Sequence, residues 1–153
     1  YMELKRVTGS EPSRFETLRG GTFINVSKKE IEVGESTLWE YYQLFTTELD
    51  EDRLEVIAKG IEEYVLKTAK TSALNSITVT TTKGNTFDGN ETARGNMTSA
   101  ILSAEVIGLT EDTWKLADNS EVLVNIAELK EALALSIQEV GRIVMVTSKE
   151  ELW

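Results

Sequence analysis

Three aspartates at turns are the residues best placed for acid–base chemistry. Asp88, Asp112 and Asp118 each stand beside residues that favour turns, and paired carboxylates can work as general acid and base. The chain contains no His and no Cys, so it lacks the usual proton shuttle at neutral pH, the commonest metal ligand and every thiolate. Turn and helix-cap roles explain all three aspartates without a cleft. We therefore expect a protein that is not an enzyme and that takes no cofactor or metal.

Two other patterns fall short of known ligand sites. The loops 83–85 and 88–90 each carry a glycine, but neither matches a phosphate loop or a dinucleotide fingerprint. The acidic run 48–52 lacks the spacing and the glycine of a calcium-binding hand. Asp50 in this run is instead a good helix N-cap, which predicts the solvated start of a helix.

The negative net charge of the chain limits the kinds of partner that we expect. The 153 residues include 26 acidic and 16 basic side chains, for a formal net charge of -10. Such a field repels phosphate backbones and anionic lipid headgroups, so we expect neither nucleic acid nor membrane as a partner. No apolar run approaches the roughly 20 residues that a membrane span needs, and no signal segment is evident. These features favour a cytoplasmic or particle-bound protein.

Residues 1–49 are predicted to be rich in β-structure. The mixed, polar stretch 1–21 is predicted to be a flexible or loosely docked lead-in, and the β-favouring stretches Thr22–Val33 and Leu38–Leu49 predict a hairpin. The second stretch is aromatic. Its rings could form a binding platform, but burial against a neighbouring helix is the favoured interpretation.

The first predicted helix, within a connecting segment 50–76, begins at Asp50 and runs to Leu74. Apolar residues recur at spacings of three and four along it, opposite a charged face. These residues are Leu54, Ile57, Ala58, Ile61, Val65 and Ala69.

Residues 77–146 are predicted to form a C-terminal α+β domain. A Thr-rich strand from Ile77 precedes a short return strand at Thr86-Phe87, and Asp88 with Glu91 forms a capping box that begins the second helix. Gly108 is expected to end this helix in the left-handed conformation. The predicted buried stripe comprises Ala93, Met97, Ala100, Ile101, Ala104 and Ile107, and the small residues around Gly95 indicate close approach to another backbone.

A second hairpin and a third helix complete the predicted domain. Trp114-Lys115-Leu116-Ala117 and Glu121–Val124 flank the turn Asp118-Asn119-Ser120, and Asn125 with Glu128 forms the next capping pair. Trp114 could anchor a partner, but packing over the helices is favoured. The third helix carries the stripe Leu129, Leu133, Ile137, Val140 and Val144, and residues 147–153 are predicted to be a frayed tail.

Several motifs in the second half resemble a small domain of unknown function, found in tail-fibre and other tail-associated proteins of tailed bacteriophages and prophages. The resemblance covers about the last 70 residues, and its Trp-Lys-Leu-Ala-Asp-Asn core is fairly specific. The motifs that carry it are residues 77–81, 84–94, Met97, Ala100-Ile101, 114–119 and 128–133.

The resemblance implies a phage structural or tail-assembly context, with no activity or cofactor to transfer. It makes Phe87, Asp88, Trp114, Asp118 and Asn119 hallmark positions, to which the capping patterns add Glu91, Asn125 and Glu128. These eight residues are interpreted as caps, turns and core.

We expect an α+β fold with three main helices, an N-terminal β-hairpin and short strands in the C-terminal half. The expected function is a non-enzymatic tail-associated module that contacts other phage tail proteins or itself, located in the virion tail or the bacterial host cytoplasm. The alternative is a prophage-encoded acidic adaptor or inhibitor that binds a host protein. That alternative requires carboxylates gathered on one face.

Overall fold

The computed structural model describes residues 3–152, an α+β chain made of two compact units. Among the described residues, the N-terminal unit comprises 3–69 and 147–152, and the C-terminal unit comprises 70–146. Tyr1, Met2 and Trp153, at the ends of the predicted N-terminal segment and tail, lie outside the described residues. The three predicted helices and the N-terminal hairpin are confirmed.

The N-terminal unit contains a four-stranded antiparallel sheet with the order β1-β4-β3-β2. Helix α1 packs on this sheet. Its apolar face joins a core that includes Ile24, Val26, Leu54 and Ala58. The elements are β1 (Lys5–Gly9), β2 (Phe15–Leu18), β3 (Gly21–Val33), β4 (Ser36–Thr46) and α1 (Glu51–Asn75), whose last turns belong to the C-terminal unit.

The predicted lead-in 1–21 is wrong, because this stretch supplies both edge strands of the sheet. β1 pairs with β4 from Lys5↔Gln43 to Gly9↔Trp39, and β2 pairs with the start of β3. Edge strands tolerate charged and polar residues, since one side of each meets solvent. The polar composition that indicated a loose segment is therefore compatible with a paired edge.

The pairing register of the hairpin β3–β4 shifts at the point where the sequence of β3 turns polar. The register shifts between Val26 and Lys29, and Ser27 adopts a positive φ of 54°. This arrangement is a β-bulge, in which β3 has one extra residue opposite β4, and such bulges increase the local twist of a strand. Ser27-Lys28-Lys29 thus marks a bulge inside one long strand.

The C-terminal unit combines two short hairpins with two helices around one core. Phe87 and Met97 are fully buried in it, and Ala104, Leu116 and Leu129 join them. The elements are β5 (Thr78–Thr80), β6 (Thr86–Asp88), α2 (Glu91–Ile107), β7 (Glu111–Lys115), β8 (Glu121–Asn125) and α3 (Ile126–Val144).

The helix caps agree with prediction in three places and differ in one. The side-chain oxygens of Asp50 and Asn125 accept backbone N–H bonds at the starts of α1 and α3, and Gly108 ends α2 with φ 74°. The N-cap of α2, however, is Asn90, which accepts from the Ala93 N–H at 2.9 Å. The predicted cap Asp88 is still part of β6 and is exposed, because the ladder to β5 keeps the chain extended through this residue.

The apolar stripes predicted to be buried on α2 and α3 are buried at some positions and exposed at others. Met97 and Ala104 are buried on α2, as are Leu129 and Ala132 on α3. The buried side of α3 includes Ala132 and Ser136, neither of which belongs to the predicted stripe. Three predicted core residues are exposed: Ile107, Ile137 and Val144.

Residues 147–152 do not form the predicted frayed tail. A short 3₁₀ helix spans Lys149–Leu152, and Lys149 is buried. Its Nζ lies 4.9 Å from the centroid of the Tyr42 ring, a cation–π distance. The aliphatic stem of a lysine can pack on apolar surface, which gives this segment a docking residue that its composition does not reveal.

Candidate functional site: a hairpin–helix polar cluster

The hairpin–helix cluster comprises Thr81, Thr82, Asn85, Glu128 and Glu131, and it joins the β5–β6 loop to the first turns of α3. Glu128 is buried, and its Oε1 accepts hydrogen bonds from Thr81 Oγ1 at 2.7 Å and Asn85 Nδ2 at 2.9 Å. One turn further along, the Glu131 carboxylate accepts from the Thr82 N–H at 2.8 Å and from its hydroxyl at 3.1 Å. Two carboxylates of α3 therefore hold the loop.

The local sequence sets this geometry. The Thr81 N–H donates to the Asn85 carbonyl and the Gly84 N–H donates to the Thr81 carbonyl, so the loop is a tight turn. Gly84 has a φ of 87°, a conformation that glycine adopts without a steric penalty. Asn125 fixes the start of α3, and residues three apart on a helix lie on neighbouring positions of one face. Glu128 and Glu131 therefore both reach the loop.

The predicted role of Glu128 in a capping box is half correct. Asn125 does accept from the Glu128 N–H, at 3.3 Å. The Glu128 side chain, however, bonds to Thr81 and Asn85 rather than back to the N-cap. Burying a carboxyl group is costly unless hydrogen bonds satisfy it, and the hairpin loop supplies two donors.

A close backbone contact lies beside this cluster. A Cβ atom added to Gly89 would stand 2.5 Å from Ser136 Oγ and 2.7 Å from Ile77 Cγ2. Only glycine fits here, so the segment between β6 and α2 can lie against α3. The Ser136 hydroxyl donates to the Ala132 carbonyl at 2.7 Å, which satisfies it within its own helix.

The other hallmark residues serve the core and the second turn. Phe87 is fully buried, and the half-buried Trp114 packs against the same core. Asn119 has a positive φ of 67° in the β7–β8 turn. Asp118 accepts from the Ser120 hydroxyl at 2.6 Å and from its N–H at 2.9 Å, and these hydrogen bonds lower the pKa of Asp118. Glu91 is exposed in the first turn of α2, where the helix dipole favours an acid.

The three aspartates considered for acid–base chemistry occupy separate positions. Asp88 ends β6, Asp112 lies in β7 and Asp118 lies in the β7–β8 turn. The Ala117 N–H donates to the Thr86 carbonyl at 3.0 Å, which links the two hairpins through backbone rather than through carboxylates. Within residues 3–152, no three carboxylates form a group that could hold a metal ion. None of the described helices is long and apolar enough to cross a bilayer.

The N-terminal unit carries a surface cavity of about 650 Å³ lined by β3, α1 and residues 147–149. Arg14 lines it and forms ion pairs with Glu55 at 2.9 Å and Glu62 at 2.7 Å. These hydrogen bonds raise the pKa of Arg14 and lower the pKa of Glu55. Lys28 also lines the cavity and lies 2.6 Å from Glu11. The positive charges of Arg14 and Lys28 are thus engaged by the protein's own carboxylates.

Comparison with known families decides where the chain belongs. The family described as Domain of unknown function (DUF4376) matches residues 44–144, more than half of the chain. The chain belongs to the DUF4376 family. The match confirms the predicted domain of unknown function and starts well before the predicted last 70 residues, so the DUF4376 region includes α1. Neither the curated proteins nor the solved structures contain a match to this chain.

Sequence reasoning missed four members of the cluster: Thr81, Thr82, Asn85 and Glu131. The signal available was a Thr-Thr pair before a Gly-containing turn, combined with two acids three residues apart at a helix start. Each half has an ordinary local interpretation. Their association depends on contacts across 43 to 49 residues of sequence.

Proposed function

We propose that this DUF4376 protein is a non-enzymatic module of a bacteriophage or prophage tail, either a structural part of the particle or an assembly factor. On this proposal, it acts by binding other proteins. The main support is the resemblance of the 77–133 motifs to a domain of tail-associated proteins. The DUF4376 match over residues 44–144 is compatible with that context.

The use of the hallmark residues agrees with a contact role. Phe87 fills the core, Asn125 caps α3 and Glu128 holds the hairpin loop. Asp118 orders a turn. Each of these four residues makes an intramolecular interaction, which agrees with a structural role.

The acidic adaptor or inhibitor is the less favoured proposal. Mimicry of nucleic acid requires unpaired carboxylates gathered on one face. Several carboxylates here form ion pairs instead, such as Glu55 and Glu62 with Arg14, Glu105 with Lys130 and Glu139 with Arg142. This pairing favours a scaffold that neutralises part of its own charge.

The proposal is tested in the phage or lysogen that encodes the chain. We expect mass spectrometry of gradient-purified particles to detect the protein, or deletion of its gene to yield particles with defective tails. A capsid protein serves as the positive control, and an abundant host cytoplasmic protein measures contamination. A chain absent from the particles, whose deletion leaves tails and infectivity unchanged, would contradict the proposal.

A further inference from the structure

The surface cavity of the N-terminal unit is large enough to hold a small molecule. Its volume of about 650 Å³ falls within the roughly 300–1,000 Å³ of ligand pockets. The β3 bulge and α1 both line it, together with residues 147–149. Pro12, Val26 and Leu66 supply apolar surface between polar and charged side chains. The cavity therefore has the size and the mixed lining of a small-molecule site.

The part of the lining that β3 contributes is held by hydrogen bonds and contains a strained residue. Asn25 is buried, its side-chain amide donates to the Ser13 carbonyl at 2.8 Å, and its side-chain oxygen accepts from Gln43 at 3.0 Å. Ser27 has a positive φ of 54°, a conformation that is unfavourable for residues other than glycine and that is frequent at ligand sites. Bulges are also common beside functional sites, where they redirect a side chain. These features distinguish the cavity from a shallow gap between loops.

Basic side chains are enriched in the lining of the cavity. Four basic side chains line it, against two carboxylates, in a chain with 16 basic and 26 acidic residues. The four are Arg14, Lys28, Lys59 and Lys149, and the carboxylates belong to Glu62 and Glu63. A concave surface focuses the field of the charges that line it. The lining therefore favours an anion, although the chain as a whole is acidic.

The ion pairs of Arg14 and Lys28 leave both side chains able to bind an anion. Glu55 and Glu62 accept hydrogen bonds from one N–H on each of the three guanidinium nitrogens of Arg14. A guanidinium has five N–H groups, so two of them, one on each terminal nitrogen, have no acceptor among the described residues. The pair between Lys28 and Glu11 is exposed, and exposed ion pairs contribute little to stability. A bound anion can therefore use the remaining Arg14 donors and replace Glu11 at little cost.

Two further ammonium groups lie at the cavity. Lys59 is exposed on α1, acts on Glu55 from a distance and forms no ion pair within the described part of the chain. Lys149 is buried, with its Nζ 4.9 Å from the centroid of the Tyr42 ring. Burial strips hydration from an ammonium group, so an anion beside it is stabilising. Ser148 adds a hydroxyl donor. Ammonium, guanidinium and hydroxyl groups are the donors that bind carboxylate and phosphate oxygens.

We propose that this cavity binds a small molecule through a carboxylate or phosphate group, and that Arg14, Lys59 and Lys149 recognise the anion. Glu63 lies in the same lining and limits the affinity. The inference goes beyond the proposed function, because the cavity belongs to the N-terminal unit and the tail role rests on motifs of residues 77–133. Either can fail without the other.

Titration of the full chain with pyrophosphate and, separately, with citrate tests the proposal. Heteronuclear NMR of the backbone amides follows each titration at constant ionic strength, with sodium chloride as the reference, because salt alone screens surface charge. We expect saturable shifts at the amides of Ser27, Lys28 and Ser148, with the C-terminal unit unchanged. Tighter binding of pyrophosphate would assign the site to phosphate groups, and tighter binding of citrate would assign it to carboxylates.

Charge variants at exposed positions identify the residues that bind. K59Q removes a positive charge from the lining and should weaken binding of pyrophosphate about threefold to tenfold, the scale of one charge near an anion at a protein surface. E63Q removes a negative charge from the same lining and should strengthen binding. The control is K115Q, which changes an exposed lysine of β7 in the other unit and should leave the affinity unchanged. Unchanged circular dichroism confirms that each variant is folded.

Two results would overturn the proposal. One is a titration in which neither anion gives saturable shifts at the cavity, or in which the shifts are spread over both units. The other is a set of variants in which K59Q and E63Q bind pyrophosphate with the same affinity as K115Q.

Discussion

Removal of the Glu128 carboxyl group by E128A tests the hairpin–helix cluster directly. Glu128 is buried, and one oxygen accepts from both Thr81 and Asn85. The substitution removes both hydrogen bonds. It also leaves the buried Thr81 hydroxyl without its short-range acceptor, since its other contact, to the Asn85 carbonyl, is 3.5 Å long.

The expected decrease in the free energy of unfolding follows from these contacts. A hydrogen bond contributes about 0.5–1.5 kcal/mol net, and a buried donor left unsatisfied costs about 1–3 kcal/mol. Because both bonds share one oxygen, their contributions do not add fully. We expect E128A to lower the free energy of unfolding by about 2–4 kcal/mol, which corresponds to a fall in Tm of about 5–15 °C for a chain of this size. E128Q keeps a side chain of the same shape with one acceptor oxygen, so we expect its free energy of unfolding to fall by less than that of E128A.

The assay is urea unfolding followed by far-UV circular dichroism, combined with a double-mutant cycle. T81V is compared alone and together with E128A, and we expect a coupling energy of about 1–2 kcal/mol for a pair in direct contact. The matched control is E139A, on the same helix, whose carboxylate makes an exposed ion pair with Arg142. This control is expected to cost at most about 0.5 kcal/mol.

Two results would refute the reasoning. One is an E128A variant no less stable than E139A. The other is a cycle in which the effects of T81V and E128A simply add. Either would mean that Glu128 does not hold the hairpin loop.

Two further predictions concern packing and pH. G89A should lower the free energy of unfolding by about 1–3 kcal/mol in the same assay, since its Cβ would stand 2.5 Å from Ser136 Oγ. The control is G60A, whose Cβ meets nothing within 4 Å. A decrease in stability for G89A no greater than that for G60A would contradict this prediction. Arg14 lowers the pKa of Glu55 through their hydrogen bonds. The contribution of this ion pair to folding stability is therefore present above the unfolded pKa of about 4.3 and is lost as the pH falls through the lower, folded pKa. The stability difference between wild type and R14Q should therefore shrink between pH 7 and pH 3 in urea titrations, and a difference that is constant across this range would count against the ion pair.

Local signals made much of the fold predictable. Gly108 ends α2 because a left-handed residue is needed there, and Asn125 begins α3 because its side chain satisfies a backbone N–H. Both requirements involve residues within one helical turn. The error at Asp88 has a different origin, because two good capping residues lie close together and the β5–β6 ladder decides between them. That ladder depends on pairing with Thr78, which is not a local property.

The candidate site was less predictable for the same reason. The pair Asn125 and Glu128 has a complete local explanation as a capping box, and nothing in it points to Thr81, 47 residues earlier. The edge strands β1 and β2 were missed because an edge residue carries little pattern of its own.

The central claim is that the polar hallmark residues serve the scaffold and that, as proposed, the protein acts through contacts with other proteins of a phage tail. Deletion of the gene, with electron microscopy and mass spectrometry of the purified particles, tests it most directly. The account predicts that the wild-type particles contain the chain or that the deletion leaves the tails defective. A chain that is absent from the particles, and whose deletion leaves tails and infectivity unchanged, would contradict it.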